Sequence, residues 1–161
     1  MPAPADEAML AGIVGDLSDR FGTPIFAPHL TLLGDTETPP AALDRTVTTV
    51  AETVAAFSEP VTAVEGIENY FRSFYARFAA SAPLTMLKRT LDPQDSTPFM
   101  PHVSLLYGAV EASAKTAAIA EIGARLVGRA IRFDRVGIVT SGQDVPIADW
   151  RVVATVALRS A

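Results

Sequence analysis

Apolar residues at Leu10, Ile13, Val14, Leu17 and Phe21 recur at the helical interval, and the spacing predicts a helix from an Asp6 cap to about Arg20, closed by Gly22. The pattern then changes. Pro28 to Gly34 reads Pro-His-Leu-Thr-Leu-Leu-Gly, a run whose long and branched side chains suit a buried strand. Thr38 as cap and Pro39-Pro40 as first turn open a second helix, with Leu43, Val47, Val50, Val54 and Phe57 on one side and Pro60 at its end. Val61 to Ile67 alternates as a strand, and the aromatic-dense run from Tyr70 to Phe78 pairs with it in a hairpin. Ser81 and Pro83 start a short helix carrying Leu84, Leu87 and Leu91, closed by Asp92-Pro93, after which Gln94 to Met100 is a polar loop. Pro101 to Gly108 is a second buried strand, reading Pro-His-Val-Ser-Leu-Leu-Tyr-Gly. Ser113 caps a third long helix through Ile119, Ile122 and Leu126, and Ile131 to Thr140 and Trp150 to Leu158 read as closing strands.

Each half of this order is strand, helix, strand, strand, which makes an internal repeat of about 73 residues, too long for a solenoid unit. The expectation is an α+β fold over residues 1–161. It forms a single domain of two pseudo-symmetric lobes, with antiparallel sheets lining a central groove and helices outside.

The repeat carries chemistry. His29 and His102 are the only two histidines, and each follows a proline and precedes by two positions a hydroxyl residue, Thr31 or Ser104. Side chains two apart on a strand share a face, so each copy offers one imidazole and one hydroxyl to a common surface. A lone strand histidine is commonly structural, but duplication of the whole pattern favours function. An imidazole titrates near neutrality, so one can accept a proton while the other donates one, and the two hydroxyls can hold the oxygens of a phosphoryl group. The four groups suit in-line attack on a phosphodiester.

Other chemistries fit less well. The chain has no cysteine, and neither motif supplies a third ligand at metal spacing, so no metal and no cofactor is expected. Ser104 lies mid-strand rather than on a sharp nucleophile elbow, and no glycine-rich phosphate loop is present. Thirteen basic against eighteen acidic residues give a net charge of −5, which argues against long nucleic acid as a partner while leaving a small phosphorylated ligand open. No apolar run reaches membrane-spanning length and no signal peptide is recognisable, so a cytoplasmic chain without a membrane partner is expected.

His29-Leu-Thr31 and His102-Val-Ser104 resemble the paired signature of the two-histidine phosphoesterase superfamily. The longer matches, Phe26 to Leu32 and Pro101 to Tyr107, are similar to its cyclic nucleotide phosphodiesterase family. The resemblance implies metal-independent hydrolysis of ADP-ribose 1″,2″-cyclic phosphate or a nucleoside 2′,3′-cyclic phosphate, to the 1″- or 2′-phosphate. Catalysis would fall to His29, His102, Thr31 and Ser104, with His102 favoured as base and His29 as acid, although the sequence does not assign the roles. Tyr107 matches the family's site tyrosine, while its odd offset from His102 leaves a core role equally open. Phe71 is the candidate platform for a base, and Arg72 either approaches a phosphate or stays solvated at a strand edge. The family begins with a strand before its first helix, and here Met1-Pro-Ala-Pro starts almost at that helix, so this edge strand is expected to be missing. An RNA end-processing or 2′,5′-ligase-like enzyme of the same superfamily and a non-catalytic nucleotide-binding domain are the alternatives, and the oligomeric state is open.

Overall fold

A computed structural model describes residues 1–160. In chain order the elements are α1 (Pro4–Phe21), α2 (Pro40–Ala51), β1 (Phe57–Glu65), β2 (Phe74–Phe78), α3 (Ala82–Leu91), β3 (His102–Leu106), α4 (Ala112–Leu126), β4 (Ala130–Phe133), β5 (Arg135–Thr140) and β6 (Arg151–Ala157). Short 3-10 turns span Tyr70–Arg72 and Ile147–Asp149. The fold is α+β. One antiparallel sheet has the order β3-β2-β1-β4, and a second consists of β5 and β6.

The helices cross between the halves of the repeat. α4, from the second half, packs on β1 and β2 of the first, while α2, from the first half, packs on β5 and β6 of the second. Two apolar clusters result. Leu10, Val14 and Leu17 of α1 join Phe74, Val103, Leu105, Ile122 and Leu126 around the four-stranded sheet, and Val47, Val50 and Ala51 of α2 join Val136, Ile138 and Leu158 against the ribbon. Phe74 is fully buried, which contributes on the order of 1.5–3 kcal/mol.

Several boundaries differ from those expected. Pro4, with φ preset for a helix, begins α1 ahead of the predicted Asp6 cap, and the Asp6 carboxylate instead accepts the Arg132 N–H at 2.9 Å. Gly22 closes α1 as predicted, in the left-handed region at φ 65°. Pro39, not Thr38, is the N-cap of α2, and Glu111 rather than Ser113 is that of α4.

The second helix ends at Ala51, well short of Pro60, because Phe57 pairs with Phe133 and starts β1. Pro60 lies inside that strand. The Val61 N–H bonds to Arg129 O on the β4 side, so alternation turns the Pro60 nitrogen to the other edge, where pairing with β2 has not yet begun. The single strand predicted over 131–140 divides at Asp134, since β4 pairs with β1 and β5 with β6. Before α1, Pro2 bridges to Phe133 and the Ala3 N–H donates to Arg132 O at 2.7 Å, with no strand formed.

Candidate active site

The second histidine motif is the strand expected of it, whereas the first is reduced to one bridge. β3 is laddered to β2, and on its other side Leu30 alone bridges Val103 in antiparallel sense, after which the chain bends at Leu32 and Leu33. Pro28 supplies no N–H, and the bend removes the residues that would extend the ladder.

That single bridge is enough to set the site. With Leu30 opposite Val103, antiparallel register places His29 opposite Ser104 and Thr31 opposite His102. Leu30 and Val103 are buried in the same apolar cluster, so the four flanking polar side chains emerge together on the other face. His29 and His102 stand on its diagonal, where side-chain roots are about 7–8 Å apart.

The two rings are held in the same way. Nδ1 of His29 lies 2.8 Å from Ala27 O, and Nδ1 of His102 lies 3.0 Å from Met100 O, in each case the carbonyl two residues back. A carbonyl only accepts, so Nδ1 carries the proton and Nε2 is left free in both neutral rings. Burial pushes both imidazoles below their usual pKa of 6.5. The carbonyl contacts oppose that shift, while the Met1 ammonium and, less, His102 lower His29 further and Arg72 lowers His102. Each ring is therefore biased towards its neutral form.

The two hydroxyls differ in surroundings. Thr31 is exposed, whereas Ser104 is buried, and its Oγ donates a long 3.4 Å bond to Phe71 O. Phe71 therefore borders the site, through its backbone as well as its ring. Tyr107 lies in the core, stacked on Phe26 with centroids 4.0 Å apart and edge-on to Phe71 at 5.5 Å. Burial raises its phenol pKa, and the neighbouring Ser104 hydroxyl pulls the other way, so Tyr107 joins core to site rather than belonging to one alone. β3 ends at Leu106, so strict alternation no longer governs where Tyr107 points.

Other neighbours were not singled out by the sequence pattern. Trp150 lies edge-on to His29 at 6.3 Å and to Tyr107 at 5.7 Å, and nearly parallel to Phe71 at 6.3 Å. Tyr75 is edge-on to His102 at 5.2 Å, and Arg77 stands opposite His102 across β2 and β3, paired with Glu65 at 3.2 Å. The register of β2 against β3, legible only once they are paired, brings these two in. Arg72, exposed on the 3-10 turn, has no ion pair among the described residues. A hollow of about 280 Å³ opens beside His29, walled by Ile25, Phe26, Val139, Ile147 and Trp150. His102 does not line it.

The chain matches no family model, and no curated protein matches it. Among the described residues no helix is long and apolar enough to cross a membrane.

Proposed function

We propose that this chain hydrolyses a small cyclic phosphodiester, a nucleoside 2′,3′-cyclic phosphate or ADP-ribose 1″,2″-cyclic phosphate, as a metal-independent member of the two-histidine phosphoesterases. The reading is carried by one observation: two imidazoles, anchored alike through Nδ1, flank two hydroxyls on the face set by the Leu30–Val103 bridge. His102, kept neutral by burial and by Arg72, takes a proton from water through Nε2. The water oxygen bonds to phosphorus as the opposite ester bond breaks, and His29, protonated, gives its proton to the departing alkoxide. For a nucleoside 2′,3′-cyclic phosphate the ester that breaks is at the 3′ oxygen, leaving a 2′-phosphate. Thr31 and Ser104 hold the non-bridging oxygens where charge is carried in the transition state.

Incubation with each cyclic phosphate in chelator, with products assigned by phosphorus NMR, tests this. Turnover to the 2′- or 1″-phosphate is expected. Folded protein that opens none of these rings overturns the reading.

A further inference from the structure

Lys115 has no part in that chemistry, yet it is one of the most deeply buried side chains, at 1 % exposure. A lysine in a core is rare, and a methionine there would fill similar space without a charge to desolvate. Its placement is specific. From α4 the ammonium donates to Ile67 O at 2.8 Å, Ser73 O at 2.9 Å and Ser73 Oγ at 3.2 Å. All three donors are used. Burial lowers its pKa against the pull of Glu68 and Glu111, so the charge is held at a cost.

The segment it grips is drawn tight. The Ile67 N–H donates to Arg72 O at 3.2 Å, the Phe71 N–H to Asn69 Oδ1 at 3.1 Å, and the Gly108 N–H to Tyr70 O at 3.0 Å. Ser73 O comes so near Gly66 that a Cβ there would lie 2.4 Å from it, so only glycine admits the carbonyl that Lys115 holds. Between these anchors stand Phe71, whose carbonyl receives the Ser104 hydroxyl, and Arg72, the last residue of the same 3-10 turn, which packs against β3.

We infer that Lys115 is a positioning residue: by clamping both ends of the 67–73 turn it fixes Arg72 and Phe71 beside His102 and Ser104, and so sets the anion affinity of that side of the site. The affinity part rests on reading the site as a phosphate site, whereas the placement of Arg72 does not. From β2, Tyr75 lies edge-on to His102 and the Glu65-paired Arg77 stands opposite it, while the turn that carries Arg72 packs against β3 and the Arg72 charge lowers the His102 pKa.

The test is an NMR titration of the two histidine ring protons in the unaltered protein, Lys115→Met, Arg72→Ala and the double variant, with inorganic phosphate binding followed on the same samples. Lys115→Met is expected to raise the His102 pKa towards 6.5, as is Arg72→Ala, with His29 unmoved and no further rise in the double variant. Phosphate affinity should fall about tenfold in either single variant. Folded Lys115→Met with an unaltered His102 titration, equal movement of both histidines, or additive shifts in the double variant would each overturn the inference. If Lys115→Met does not fold, Ser73→Ala, which removes one of the three acceptors, must move His102 alone and in the same direction, and no movement there also overturns it. Because the titration needs no turnover, a protein that opens no cyclic phosphate can still show the selective His102 shift.

Discussion

Removing one imidazole at a time separates proton transfer from scaffolding. In His102→Ala the lost groups are the Nδ1 contact with Met100 O and the edge contact with the Tyr75 ring. At about 0.5–1.5 kcal/mol each they sum to roughly 1–3 kcal/mol, which a fold of about 5–15 kcal/mol survives. Loss of a general acid or base lowers turnover by about 10²–10⁴, or roughly 2.7–5.5 kcal/mol of barrier. The assay is kcat/KM against pH on a cyclic phosphate, with the urea midpoint measured on the same preparations. His102→Ala should abolish the limb on which rate rises with pH, since that limb reports deprotonation of the base, and His29→Ala should abolish the falling limb. With both imidazoles below 6.5, the unaltered protein should show any kcat/KM maximum on the acid side of that value. Stable variants retaining more than a third of native kcat would refute paired acid-base catalysis, and exchanged limbs would reverse the roles.

Stability should fall as the solution is acidified through 6.5 towards the lowered pKa values of His29 and His102. In that window the unfolded chain binds more protons than the native one, so unfolding free energy rises with pH. Urea midpoints from pH 5 to 7.5 should show this slope, reduced in the His29→Gln, His102→Gln double variant to the part left by the buried Met1 ammonium, whose pKa is lowered from 8.0 to about 5. Gly66→Ala, forced against Ser73 O, should lose about 1–3 kcal/mol, while Gly12→Ala, on an exposed turn of α1 whose new methyl would meet nothing within 4 Å beyond its own helix backbone and chain neighbours, should gain about 0.4–1 kcal/mol. Thermal midpoints of the two variants should move in opposite directions. Phe74→Ala, emptying a fully buried ring site, should cost about 3–5 kcal/mol by denaturant titration.

The α+β class and most elements were legible because apolar spacing survives packing: Leu10, Ile13, Val14 and Leu17 are all buried on α1 as their interval requires. What misled was punctuation. Pro60 reads as a helix stop, yet a proline whose nitrogen faces an unpaired edge is compatible with a strand, and that edge exists only after β1 has found β4 and β2. The run from Ile131 to Thr140 has no local sign of a break, because Asp134 divides two sheets through distant partners. The same limit applies to the site. The histidines and hydroxyls could be named from a repeated local pattern, whereas Tyr75, Arg77 and Trp150 join them through cross-strand register and tertiary contact.

The arrangement of the polar groups follows from two apolar residues. Leu30 and Val103 are driven into the core, and because they pair, their neighbours on both chains are turned outward together. A shift of one residue at this bridge would send His29 and Thr31 to the core face and Leu30 to the outer one, so burial of Leu30 selects the register that puts the four polar residues on one face. The ring anchors to Ala27 O and Met100 O then fix which nitrogen faces outward. Because the first motif has one bridge where the second has a five-residue strand, His29 depends more on Leu30 than His102 does on any single neighbour. The core therefore orients the two histidines, and it does so least redundantly at His29.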